Sequence, residues 1–247
     1  MNRGLLRSIH FLMMLSANSL LSGCSADDND RNFVIARQQM VAQQLVGRDI
    51  TNQHVLRAMS AVPRHEFVPT GQRSQAYFDH PLPLGHGQTI SQPYIVAFMT
   101  QALNPRTNDV VLEVGTGSGY QAAVLAGLVN QIYSIEIIEP LALQAKADLK
   151  RLAYTNVQVR AGDGYQGGAT AAPFDAIIVT CAPDHIPQPL LDQLKEGGRM
   201  IIPVGPSYDQ SLYLLRKDGG QVRRQAILPV RFVPMTGEAR EVKPGRP

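Results

Sequence analysis

Three glycines and three acids are the residues here whose types and spacing suggest chemistry. Gly115, Gly117 and Gly119 alternate through "EVGTGSGYQ", directly after the apolar run Val110, Val111, Leu112 and Val114. A buried strand, a tight glycine turn and then a helix open a Rossmann-like unit. Glycine accepts positive φ there and lets a ligand approach the backbone. The acids are Glu113, just ahead of the turn, Glu136 at the end of "QIYSIE", and Asp163 in "AGDGYQG". Gly117 to Ala122 fits G-x-G-x-x-A, a permitted dinucleotide pattern, and Glu136 stands where an acid can hold a ribose.

The adenosine of S-adenosylmethionine suits both features equally, and charge separates the two ligands. A dinucleotide brings a pyrophosphate, which needs helix N-terminal N–H groups and no nearby carboxylate. Three acids around one cleft repel that group and favour a sulfonium and an ammonium. The local reading is therefore a site for the methyl donor.

The elements that must position these residues alternate. Strands are expected at 110–114, 132–135, 157–160, 176–180 and 200–204, with helices at 120–129, 140–152 and 187–194. This predicts an α/β fold with a mostly parallel, doubly wound sheet. Two later apolar runs, "SLYLLRK" and "ILPVRFVPM", predict an antiparallel C-terminal edge. Ahead of the alternation, helices are expected at 32–45, at 52–59 with Asn52 as N-cap, and at 93–103 with Pro93 in the first turn. "AVPRHEFVP" reads as irregular, and 77–92, rich in proline and glycine, as a structured loop. This N-terminal helical extension and loop (32–108) and the core with its C-terminal strands (109–240) form one domain, followed by a tail at 241–247.

Residues 1–31 read as a leader. Arg3 and Arg7 precede a short apolar region that ends in "LSGC", and the polar run "SADDNDRN" follows. The pattern resembles a lipoprotein signal with Cys24 as the anchored residue and the polar run as a tether. His10, Ser16, Asn18 and Ser19 interrupt its apolar part, so an unprocessed leader is the alternative.

Composition excludes several classes. With 247 residues, 44% of them hydrophobic, the chain can bury a sizeable core. The net charge is only +3, and the densest basic stretch, "RKDGGQVRR", is broken by Asp218 and two glycines, so no nucleic-acid surface is signalled. Two cysteines, no CxxC, no HExxH and scattered histidines give no metal site and no disulfide framework.

Seven stretches occur in order: "LPLGHGQTISQPYIVAFMTQAL", "VLEVGTGSGYQAAVLA", "YSIE", "GDGYQG", "PFDAIIVTCAP", "LKEGGRMIIPVG" and "VRFVPMTG". Together they closely resemble the protein-L-isoaspartate O-methyltransferase family over residues 36–237. The glycine turn is common to many methyltransferases. "GQTISQP" combined with "RFVPMTG" is far more specific.

The resemblance implies a Rossmann-like methyltransferase fold and one activity. A methyl group passes from S-adenosylmethionine to the free α-carboxylate of an L-isoaspartyl residue in a damaged or aged protein. The ester then recyclises readily, since methoxide leaves more easily than hydroxide, and the ring can reopen to aspartate. The resemblance also implies site residues. Ser91 matches the family's active-site serine, although its hydroxyl is equally placed to cap the helix starting at Pro93. Gln88, Thr89 and Ile90 would cover the donor. Glu113 would face its methionyl end, Glu136 its ribose, and Asp163 with Gly164 its adenine. Thr236 would lie near the donor, and "VRFVPMTG" would meet the acceptor peptide by strand-like pairing. His86 reads as a loop residue and Cys181 as a small buried residue at a strand end.

The implied partners are isoaspartyl proteins and peptides, with no nucleic acid and a single chain as the working unit. The cytoplasm is the expected location, and membrane attachment through a lipidated Cys24 is the alternative. Competing functions are a small-molecule methyltransferase, which leaves "GQTISQP" unexplained, and an NAD-dependent oxidoreductase, which Glu113 and the lack of a Tyr-x-x-x-Lys pair oppose. A tethered binding module without turnover is a third.

Overall fold

The structure is a computed structural model and describes residues 26–240. The expected leader with Cys24 and the expected tail at 241–247 lie outside the described residues. No helix among the described residues is long and apolar enough to cross a membrane.

A seven-stranded sheet carries the molecule. Its strands are β3 (Val110–Val114), β4 (Gln131–Glu136), β5 (Val157–Ala161), β6 (Phe174–Val179), β7 (Leu194–Val204), β8 (Gln210–Asp218) and β9 (Gln221–Val230), in the spatial order β5-β4-β3-β6-β7-β8-β9. The first five pair in parallel; β8 and β9 add on antiparallel. A separate hairpin, β1 (Leu82–Gly85) with β2 (Gln88–Ile90), occupies the stretch expected to be loop. Its turn is Gly85-His86-Gly87, all at positive φ, which leaves His86 at a hairpin tip.

The helices are α1 (Ala26–Gln39), continued by a π-helical stretch Met40–Val46, then α2 (Gln53–Ala61), α3 (Pro93–Leu103), α4 (Tyr120–Ala126), α5 (Glu139–Arg151) and α6 (Gln188–Asp192). Helix α1 starts inside the polar run read as a tether. Asn52 caps α2 as expected, its side chain accepting from the His54 and Val55 N–H groups at 2.9 and 3.3 Å. Such a cap contributes about 1 kcal/mol.

The central strands are near-continuous apolar runs because both faces of the sheet are covered. Val111, Ile132, Ala176 and Ile178 pack on one side with Met59 of α2, Met99 of α3 and Leu125 of α4. Leu112, Ile135, Ile177 and Val179 face the other side with Leu190 of α6. In "AVPRHEFVP" a 3₁₀ turn, Arg64–Phe67, buries Arg64 completely. Its guanidinium lies 4.7 Å from the Tyr120 ring centroid and donates to the Ala76 carbonyl at 2.7 Å.

Away from the glycine turn, at the start of β3, Arg199 of β7 ties the structure together. It pairs with buried Asp109 and donates to the carbonyls of Leu103 and Asn104 at 2.8 and 2.7 Å. This fixes the end of α3 to the sheet.

Candidate active site

The parallel order reverses at β3, with β4 and β5 on one side and β6 and β7 on the other. Ligands of open α/β sheets bind at such a point, beyond the carboxyl ends of the strands. A cleft of about 780 Å³ lies there, lined by the ends of β3, β4 and β6, the β1–β2 hairpin and the segment after β9.

The three glycines have three different tasks. Gly115, at φ +95°, fits under Thr180, whose hydroxyl would stand 2.5 Å from an added Cβ. Gly117, at φ +53°, has open space apart from Leu84 of β1 and is the backbone a ligand can approach. Gly119, at φ +85°, lets α4 pack on Leu149 of α5, 3.2 Å from an added Cβ. Gly119 does not line the cleft, so its expected donor contact is corrected to a packing role.

Most N–H groups of the turn are committed internally. Gly115 donates to Ile135 O at 2.8 Å, Gly119 to Thr116 O at 2.8 Å, and Tyr120 to Ser118 Oγ at 3.3 Å. Gly117 donates to Glu136 Oε2 at 2.8 Å, and Ile138 donates to Glu136 Oε1 at 3.0 Å. A pinned carboxylate therefore stands at the start of α4, where its charge opposes a pyrophosphate.

The acids divide in the same way. Glu136 and Asp163 line the cleft. Asp163 accepts from Tyr165 N–H at 2.9 Å and from Glu238 N–H at 2.8 Å, which docks the C-terminal 3₁₀ turn on the site. Glu113 is fully buried and does not line the cleft. The alternation of β3 turns it to the face shared with Val111, against its register partner Ser134. Ser134 donates to Glu113 and lies 2.5 Å from the Thr116 hydroxyl, and Thr116 lines the cleft. Burial pushes the Glu113 carboxyl up to about 8; the Ser134 hydrogen bond opposes this and the Glu136 charge adds to it. The expected contact of Glu113 with the donor is corrected to a connection through Ser134 and Thr116.

Of the other expected residues, Gln88, Thr89, Ile90, Ser91, Gly164 and Thr236 line the cleft. An added Cβ on Gly164 would collide with Val114. Ser91 does not cap α3. The cap position is Gln92, which makes no side-chain cap bond, and Asp79 Oδ1 accepts from Tyr94 N–H at 3.2 Å. Thr116, Ser118, Tyr120, Gln121, Thr180 and Cys181 also line the cleft and were not singled out as ligand contacts. The switch-point rule applied to the end of β6 would have found Thr180 and Cys181. Burial, with Glu136 and Asp163 adding, pushes the Cys181 thiol up to about 12, so it stays protonated.

"VRFVPMTG" differs most from expectation. Strand β9 ends at Val230. Beyond it, the Gln210 side chain accepts from Phe232 N–H at 2.6 Å and donates to Phe232 O at 3.2 Å. Ala182 N–H donates to Val233 O, and Met235 N–H to Ala182 O, both at 2.8 Å. These main-chain groups serve the fold, which leaves strand-like pairing with an acceptor peptide only to the remaining groups of the segment. The segment instead forms a wall of the cleft through Val233, Pro234, Met235 and Thr236.

On the far side of that wall runs an outer groove bordered by Pro81, Ile95, Tyr208 and residues 229–233. Thr89, Ser91, Thr180 and Val233 line both the cleft and the groove. A cleft lined by acids, opening through hydroxyls onto a surface groove at the switch point of this sheet, fits an S-adenosylmethionine-dependent methyltransferase of Rossmann-like fold.

Known proteins narrow the class. The family model for protein-L-isoaspartate(D-aspartate) O-methyltransferase matches residues 36–240. The chain is 54% identical to the protein-L-isoaspartate O-methyltransferase of Opitutus terrae, covering 92% of this chain and 97% of that one. It is 53% identical to protein-L-isoaspartate O-methyltransferase 2 of Syntrophobacter fumaroxidans, with 92% and 96% covered. A solved protein-L-isoaspartate O-methyltransferase superposes with a TM-score of 0.71 at 29% identity, covering 85% of this chain and 66% of that one. A Plasmodium falciparum structure assigned to the same family, in complex with S-adenosyl-L-homocysteine, gives 0.71 at 25% identity, with 81% and 98% covered. The chain belongs to the protein-L-isoaspartate(D-aspartate) O-methyltransferase family.

Proposed function

We propose that the protein moves a methyl group from S-adenosylmethionine to the α-carboxylate of L-isoaspartyl residues in damaged proteins, starting their return to aspartyl residues. The observation that carries this reading is the shared boundary: Thr89, Ser91, Thr180 and Val233 line the donor cleft and the outer groove together. A donor in the cleft and a peptide in the groove would meet there.

The cleft suits the donor by its chemistry. The Glu136 carboxylate, held by two N–H groups, is oriented to accept from ribose hydroxyls. In this reading Asp163 and Gly164 meet the adenine, and Gly117 gives backbone access; all three line the cleft. The bound donor supplies an electrophilic methyl on sulfonium.

The acceptor needs no base, because a carboxylate of reference pKa about 4 is ionised at neutral pH. The chain has only to align it and strip its water. Ser91 at the boundary donates a hydrogen bond to the acceptor carboxylate in this reading, and Gln88, Thr89 and Ile90 close over the donor. Alignment of this kind supplies roughly 7–11 kcal/mol in favourable cases.

One chain carries both cleft and groove, so a single chain is the working unit in this reading. The cytoplasm, where the donor is made, is the proposed location, with a form lipidated at Cys24 as the alternative. The mass of the mature N-terminus separates the two. The activity is tested by transfer of labelled methyl from S-adenosylmethionine to a synthetic isoaspartyl peptide, with its aspartyl twin as control. Equal labelling of both peptides, or of neither, rejects the reading.

A further inference from the structure

Among the residues lining the outer groove, one carries a charge. Arg231 stands among prolines, aliphatic side chains, hydroxyls and amides. It is exposed and has no hydrogen bond or ion pair among the described residues, unlike Arg48, Arg73, Arg151 and Arg199, which are all paired with carboxylates. The strand leading into the groove is also one-sided in charge. From Gln221 to Thr236 there are three arginines, Arg223, Arg224 and Arg231, and no Asp or Glu.

Position ties this cation to the reacting end. Val233 belongs to the boundary with the donor cleft, and two residues of chain span at most about 7 Å. Arg231 thus flanks the acceptor position at the separation of a near neighbour along an extended peptide. Deeper in, Glu136 and Asp163 present negative charge to anything that enters. An acidic peptide meets its one balancing charge in the groove at Arg231.

We propose that Arg231 is a specificity-determining residue that pairs with an Asp or Glu flanking the isoaspartyl residue, so that the enzyme favours acidic acceptor sequences. The inference rests on the acceptor reading above and adds a sequence preference to it. Arg231 has no part in methyl transfer itself, so its effect belongs to KM and not to kcat.

The test uses one isoaspartyl peptide in three forms, with Glu, Gln or Lys placed in turn at the two positions on either side of the isoaspartyl residue. The wild-type protein should show the lowest KM for Glu on at least one side, about three- to five-fold below Gln, the range of an exposed ion pair. Arg231→Gln should erase the difference, Arg231→Lys should keep most of it, and Arg231→Glu should invert the order towards Lys. All variants should keep kcat and their affinity for S-adenosyl-L-homocysteine. An unchanged order in Arg231→Gln, or an equal rise in KM for all three peptides, overturns the inference. Failure of the wild-type protein to methylate any of the three overturns the acceptor reading instead.

Discussion

Glu113 sits beneath the donor cleft, and its protonation state is what that position controls. With its carboxyl pushed up to about 8 from 4.5, the native protein holds a proton between those values that the unfolded chain has released. Stability from this group is therefore fully present below about 4.5 and is lost as pH rises through about 8. Glu113→Gln keeps a neutral partner for Ser134 and removes this dependence. The variant should gain on the wild type by more than about 1 kcal/mol between pH 5 and pH 8.5 in chemical unfolding. Parallel pH profiles would mean that Glu113 is already ionised in the native state. Ser91 belongs to the same scale. Since it caps nothing, Ser91→Ala should leave the melting temperature unchanged. Single-turnover methyl transfer should fall about ten- to a hundred-fold, the loss of one orienting hydrogen bond. Reduced stability with a wild-type rate would reverse that assignment. Short motifs in the sequence pointed to Ser91, Glu136 and Asp163, which line the cleft. They did not disclose that Glu113 points away from the ligand, because which face of β3 a residue occupies depends on what the rest of the chain packs there.

At the scale of elements, the clasp of Arg199 on Asp109, Leu103 and Asn104 joins α3 to the sheet. Arg199→Met leaves a buried carboxylate without its cation, and the expected loss is about 3–5 kcal/mol in denaturant unfolding. A loss under about 1 kcal/mol would mean that the carboxylate finds water instead. Elements with dense apolar patterns were legible: β3 and α3 have the expected bounds. Strand β7 begins at Leu194, six residues before expectation, because "KEGG" reads as a turn and is instead absorbed where the pairing register with β6 shifts, with Gly197 at φ +73°. Strand β9 was misplaced for a related reason. Its first half, Gln221–Ala226, is mostly exposed and polar, as suits a sheet edge. The apolar run after that half belongs to the strand only as far as Val230; from Arg231 on, with Pro234, it packs as irregular chain.

For the whole molecule, ligand binding and folding are linked. A ligand at 100 times its Kd adds about 2.7 kcal/mol to stability, which for a chain of this size raises the melting temperature by about 5–11 °C. S-adenosyl-L-homocysteine should produce that shift and NAD none; the reverse result would restore the dinucleotide reading. The α/β class was legible throughout, since alternation of apolar runs reports layers directly. The assembly of the cleft was not, because its walls come from Gln88 and from Thr236, far apart in sequence and joined only by the fold. The wall from Val233 to Thr236, held by Ala182, is also among the last parts of the described chain to be made. During synthesis on a ribosome, the glycine turn, Glu136 and Asp163 emerge first, as a half-built cleft open along its Ala182 side. A nascent chain that stops short of Val233 should therefore hold the methyl donor more weakly than the finished one, which truncated chains titrated with S-adenosyl-L-homocysteine would show.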